Sequence, residues 1–280
     1  MRHDGPQVCL TFDFDALSVW LARGMDSPTP ISRGEFCAVG ADRVLALLRK
    51  FDLPSTWFIP GHTLESYPDH CRRVFEAGHE IGHHSWTHVP PNQLTLEQER
   101  DALIRANEAI RSLTGRYARG YRSPSWDLSP NTLSLLLDHG FDYDSSMMGH
   151  DYLPYHVRQG DHLPLEAPAV FGTPTRLVEM PVSWSLDDYP HFEFVRAGQM
   201  VLPGLMNAND VLDNWVEDFL YLKENFDWGV ITYTFHPFVI GRGHRMRMLE
   251  RLLRRLIDEG ARFLRQEDAV DAWLARQASA

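Results

Sequence analysis

Gly78-His79-Glu80-Ile81-Gly82-His83-His84-Ser85-Trp86-Thr87-His88 places four histidines within ten residues. Its two pairs, His79/His83 and His84/His88, both have the spacing that sets two imidazoles on one side of a helical turn. The first pair lies in an H-E-x-x-H pattern, the zinc-peptidase signature, which requires a continuous helix. Gly78 and Gly82 flank and interrupt that helix, each at about 1 kcal/mol against Ala. The helix-like run over residues 71–77 stops at Gly78, a common residue just past a helix end. Glu80-Ile81-Gly82 therefore reads as a short strand. His84 and His88 fall on the loop beyond its C-terminal end, and the peptidase reading is rejected.

Outward from this strand, the chain alternates. Val8-Cys9-Leu10-Thr11-Phe12 is an apolar run ending in Asp13-Phe14-Asp15, a buried strand with acids at its end. Residues 16–39, with Gly24, Pro28, Pro30 and Gly34, read as a long irregular excursion, and Val44, Leu45, Leu47, Leu48 and Phe51 mark an amphipathic helix after it. Ser55-Thr56-Trp57-Phe58-Ile59 is a second strand. Downstream, Thr95-Leu96-Glu97-Gln98 is a capping box opening a helix to about residue 113. Strands are expected at 119–121, 141–144, 177–182, 229–235 and 261–264, and helices at 210–226, 246–259 and the C-terminus. Ser129-Pro130 is expected to cap the helix that ends before Gly140. The Pro- and His-rich stretch between 144 and 177 yields no readable element. About eight short strands alternating with helices predict parallel pairing and, at this length, a distorted (β/α) barrel closed on itself. No repeat or linker interrupts it, so residues 1–280 are expected to form one domain.

Composition narrows the function classes. A formal charge of −11 argues against nucleic acid as a partner and gives no pull toward anionic membranes. No signal-peptide core or spanning apolar segment is apparent, and Cys9, Cys37 and Cys71 are too few and too far apart for a disulfide framework. The expected compartment is the cytoplasm.

Asp13 and Asp15 lie two apart on one strand, so their carboxylates point the same way and repel unless something neutralises them. A divalent metal can hold one while the other acts as a base. Two imidazoles and one carboxylate with an open position form a standard catalytic zinc arrangement, which Asp15, His84 and His88 would supply. Arg122, at the end of another strand, is placed to pair with Asp13. His236, leaving a buried strand into Pro237, stands where a general acid could reach a departing amine.

These motifs together resemble the polysaccharide deacetylase (NodB-like carbohydrate esterase) family. Thr11-Phe12-Asp13-Phe14-Asp15 is similar to its T-F-D-D motif, His84-Ser85-Trp86-Thr87-His88 to H-[ST]-x-x-H, and Arg122-Ser123-Pro124-Ser125-Trp126 to R-x-P-x-[WY]. Phe235-His236 stands where the late L-x-H motif falls. The resemblance implies a distorted barrel, one divalent metal (zinc first, with cobalt, manganese or nickel as alternatives), a metal-activated water, an Asp base and a His acid. Phe14 separates the usually adjacent acids, so Asp13 is assigned as base and Asp15 as ligand with the reverse assignment open. The fourth motif is blurred, and Trp184-Ser185-Leu186-Asp187-Asp188-Tyr189 is the best candidate for it. Trp126, Trp184, Asp187 and Asp188 are thus candidate substrate-binding residues. The separated acids and the residues after His236 look like an intracellular branch that includes peptidoglycan-deacetylase-like proteins, cyclic imide hydrolases and allantoinase-like proteins.

The expected reaction is hydrolysis of a non-peptide C–N amide bond. The substrate is an acetylated sugar or, as the alternative, a small cyclic imide or ureide; a non-catalytic binding module is the third reading. Segments 16–39, 146–176 and 184–206 carry Trp20, Tyr152, Tyr155, Phe171, Trp184, Tyr189, Phe192 and Phe194. These aromatics are expected to close the pocket around a small ligand, with room for a neighbouring subunit of a homo-oligomer to contribute.

Overall fold

The computed structural model describes residues 5–197 and 200–279; the opening residues read above for a leader, and positions 198 and 199 of the segment 184–206, lie outside these. Eleven strands occur among them: β1 (Gln7–Asp13), β2 (Thr56–Ile59), β3 (Glu80–His83), β4 (Gly120–Tyr121), β5 (Tyr143–Asp144), β6 (Tyr155–Gln159), β7 (Thr173–Glu179), β8 (Val195–Ala197), β9 (Met200–Leu202), β10 (Val230–Phe235) and β11 (Arg262–Leu264). The main sheet runs β10-β1-β2-β3-β4-β5-β7-β6, with β11 on the first half of β1. Its pairs are parallel except β6 with β7.

β1 is buried along its whole length, as its apolar run requires. Its two faces divide the core by the period of two. Val8, Leu10 and Phe12 join the large cluster, whereas Cys9 packs in a smaller one with Phe58, Tyr143, Val178, Ala269, Val270 and Trp273. Three of those come from the last helix, Gln266–Gln277. That helix sits at the N-terminal ends of the strands, where its backbone N–H groups at Gln266 and Glu267 donate to Thr56 Oγ1 and Glu80. The opposite, C-terminal ends are left to polar side chains.

The curled sheet is a distorted barrel that stays open, against the closed barrel expected, between its edge strands β6 and β10. Among the described residues no continuous ladder joins them. Val230 N–H bonds Tyr152 O just before β6, and a single parallel bridge links Asp187 to Thr234. Each of the eight expected strands has a counterpart; β6, β8 and β9 fall in stretches that offered no signal.

Two expectations about the helices need correcting. Most of residues 16–39 is not irregular: a short helix spans Ser18–Leu21, and a 24-residue helix runs Pro28–Phe51. Pro28 and Pro30 sit in its first turn, where missing N–H groups cost nothing. Gly34 and Gly40 are there for close approach. A Cβ on Gly40 would lie 1.9 Å from Pro237 O, and one on Gly34 2.8 Å from Ala16 O. The helix before Gly140 starts at Thr132, after Asn131, later than expected; Ser129 Oγ accepts the Asn131 N–H in the turn before it and donates to Glu99. The Thr95/Gln98 capping box on helix Leu96–Thr114 is present with both bonds.

Candidate active site

The histidine stretch forms a strand through His83 and then a tight loop. Ser85 (φ 59°) and His88 (φ 57°) adopt left-handed backbone, a conformation that costs on the order of 1 kcal/mol or more for non-glycine residues and clusters at functional sites. The loop is braced where Gly61 and His62 N–H groups donate to Ser85 and Trp86 carbonyls. This turn brings His84 and His88 together, with ring centroids 5.0 Å apart. Beside them stands Asp15, just beyond β1. His84 Nε2 lies 3.4 Å from Asp15 Oδ1, and His88 Nε2 lies 3.6 Å from Asp15 Oδ2.

His79, Glu80 and His83 point elsewhere. His79 Nδ1 bonds Ser55 Oγ, and Glu80 accepts from Thr56 and Tyr143. His83 Nε2 donates to Leu103 O while its Nδ1 accepts from Ser85 N–H. A strand spreads residues four apart over about 13 Å, so this trio does not converge on a metal.

Asp15, His84 and His88 are buried, and their ligand atoms lie within 4.8 Å of one another. Among the described residues, both Asp15 oxygens and His84 Nε2 lack any hydrogen-bond partner. Buried carboxylate oxygens left so are costly. His84 donates Nδ1–H to Arg122 O at 2.7 Å, which fixes the tautomer and turns the Nε2 lone pair toward Asp15. Burial opposes ionisation of Asp15, but its His88, His84 and His236 neighbours outweigh it and hold the carboxyl well below its ordinary range. Burial pushes His88 down to about 4, favouring the neutral form that binds metals. These orphaned atoms and this donor set fit a divalent cation.

Asp13, at the end of β1, is held differently. Arg122 is wholly buried and donates from Nη1 to Asp13 Oδ1 and Thr11 Oγ1, both at 2.8 Å. Its other donors reach Ser145 O and Ser145 Oγ, and its plane lies 4.2 Å from the Phe58 ring centroid. Asp13 Oδ2 stays open toward His84 Nε2 (3.9 Å) and His236 Nε2 (4.0 Å). His236, just past β10, receives its orientation from Asp188, which accepts both its N–H (3.0 Å) and its Nδ1–H (2.8 Å). Burial alone would lower His236, yet the Asp187, Asp188 and Asp15 carboxylates raise it well above its ordinary value.

A cleft of about 320 Å³ opens over these groups. Trp126 and Trp184 form one wall, their rings 4.2 Å apart, and Asp187, Tyr189 and Arg23 also reach it. Asp188 does not: expected on the pocket wall, it is buried completely behind His236. Of the eight aromatics expected to close the pocket, only Trp184 and Tyr189 line it among the described residues. Trp20 and Phe192 are core residues, Phe171 is exposed beneath Arg158, and Tyr152 packs against Phe226. Ser145 and Thr11, which fix Arg122, and Arg23 at the rim were not foreseen. Ser145 had a signal, a polar residue directly after a buried strand, in the same position as Arg122 after β4.

Comparison with known proteins gives the family. Residues 2–143 match the polysaccharide deacetylase family model. A peptidoglycan deacetylase of Helicobacter pylori is 38% identical over 278 residues, 94% of each chain. A peptidoglycan deacetylase-like protein of Gibberella zeae is 29% identical, covering 96% of this chain and 86% of its own. Among solved structures, one assigned to a polysaccharide deacetylase from Mycobacterium smegmatis superposes with TM-score 0.85 at 29% identity, covering 98% of this chain and 91% of its own. An allantoinase shares the fold at TM-score 0.79 and 20% identity, over 96% and 90% of the two chains. The chain belongs to the polysaccharide deacetylase family. Among the described residues, no helix is long and apolar enough to cross a membrane.

Proposed function

We propose that this chain, acting as one domain, is a metal-dependent hydrolase of non-peptide C–N amide bonds, of deacetylase type. Asp15, His84 and His88 are the residues that would hold one divalent ion, zinc by the character of the set. The observation that carries this reading is the buried Asp15, His84 and His88 cluster, in which both Asp15 oxygens and His84 Nε2 have no hydrogen-bond partner among the described residues. When bound, such an ion supplies Lewis acidity to the substrate carbonyl and lowers the pKa of water toward about 7.

The protein groups divide the proton work. Arg122 occupies Asp13 Oδ1, which leaves Oδ2 to accept a proton from the attacking water. His236 keeps Nδ1–H on Asp188 and presents Nε2 to the cleft, where it would protonate the leaving nitrogen. Trp126 and Trp184 would bound the substrate from one side, and Asp187 from another.

The same chemistry opens a cyclic imide or ureide, and the small volume of the cleft favours keeping that reading. Assaying the zinc-reconstituted protein on an acetylated chitooligosaccharide and on a cyclic imide separates the two. Acetate release or ring opening is expected, with Asp13→Asn retaining metal but losing roughly 10²–10⁴-fold in kcat, and Asp15→Asn losing metal first. The converse behaviour of the two variants would exchange the roles of the acids. Efficient turnover of long, intact glycan would contradict the small-substrate preference.

A further inference from the structure

Arg23 stands at the cleft rim in the turn that follows helix Ser18–Leu21. The turn is fixed: Arg23 N–H bonds Trp20 O, and Gly24 N–H bonds Leu21 O with Gly24 at φ 65°. The guanidinium is held over two rings, 5.5 Å from Tyr189 and 5.8 Å from Trp20, and Nη1 donates to Tyr189 Oη at 2.6 Å. Of its five N–H donors, this uses one. Among the described residues no carboxylate pairs with it.

None of the acids that share the cleft turns to Arg23. Asp13 has Arg122, Asp15 lies between His84 and His88, Asp187 accepts from Tyr189 N–H, and Glu193 pairs with Arg33. Arg23 is therefore a cation in surplus, oriented by its surroundings and opening onto the same cavity as His236 and Asp13. A planar fork of donors fits a carboxylate in a bidentate pair. Four neighbouring carboxyl groups also make the cleft less hospitable to a dianion such as phosphate than to a single charge.

Resting on the amide-hydrolase reading above, we propose that Arg23 is an anion subsite. The substrate is then a small amide, open-chain or cyclic, whose skeleton carries a carboxylate beyond the scissile C–N bond.

Matched pairs test this: N-acetylmuramic acid and its carboxamide, and hydantoin-5-acetate and its carboxamide. Each compound is assayed for turnover and titrated calorimetrically into the zinc-reconstituted protein. The wild-type chain should favour the acid over the carboxamide by roughly ten- to hundredfold, through KM or Kd rather than kcat. Arg23→Gln should collapse that ratio and Arg23→Lys should restore part of it. A ratio near one in the wild-type chain, or a ratio unchanged in Arg23→Gln, overturns the proposal even if amides are hydrolysed. Arg23-dependent binding of the acids with no turnover of any compound upholds the subsite and discards the hydrolase reading instead.

Discussion

At the scale of single residues, Arg122, Asp13 and His236 are each oriented by a partner, while the Asp15 oxygens are left free for a metal. His236 is useful as an acid only if its ring is fixed and its proton retained, and Asp188 does both through two contacts of 2.8 and 3.0 Å. Asp188→Asn should therefore keep the metal and lower kcat roughly 10–100-fold, read by steady-state kinetics beside metal analysis. Loss of metal with unchanged kcat per bound ion would contradict this. His83 shows what the other histidines of the stretch are for. Burial lowers its pKa to about 4, and its two nitrogens, one donating and one accepting, require the neutral ring. Its folded-state pKa lies below the ordinary 6.5, so its contribution is complete above pH 6.5 and is lost as pH falls toward 4. The loss amounts to about 3 kcal/mol. In metal-free protein, thermal denaturation from pH 7 to 4 should show a steeper decline for the wild-type chain than for His83→Gln. Parallel curves would refute it. Gly78 and Gly82 mark 79–83 as no helix in the sequence; nothing in the string announces that Asp188, rather than its neighbour Asp187, turns inward.

Elements matter here through what they hold in place. Helix Pro28–Phe51 packs Gly40 against Pro237, the residue after His236, so a side chain there would press on the strand end that carries the acid. Gly40→Ala should cost about 1–3 kcal/mol and lower kcat together, measured by denaturant titration and kinetics. A variant with wild-type stability and rate would show that the contact positions nothing. The same glycines explain why this helix was hard to read. Pro28, Pro30 and Gly34 mark loops by composition, whereas in the fold they are a helix start and a close crossing. β1, β2 and β10 were legible because parallel strands buried on both faces are continuous apolar runs. β6 was not, since only Val157 of its five residues is buried and it pairs antiparallel at the edge of β7.

For the whole molecule, the sheet gathers residues scattered from Thr11 to His236 at one end of the strands, while helix Gln266–Gln277 fills the other. Alternation of strand and helix made that convergence readable, for it fixes which strand ends share a face. The open seam between β6 and β10, crossed by the Asp187–Thr234 bridge and the Val230–Tyr152 hydrogen bond, was not readable, because it depends on tertiary packing of an irregular segment. The central claim is that this convergence builds one metal site from Asp15, His84 and His88. Its most direct test is metal stoichiometry by elemental mass spectrometry after zinc reconstitution and dialysis. The account predicts about one ion per chain in the wild-type protein, in His79→Ala and in His83→Gln, with little retained in His84→Ala or His88→Ala. Retention in the last two variants with loss in the first two would contradict it.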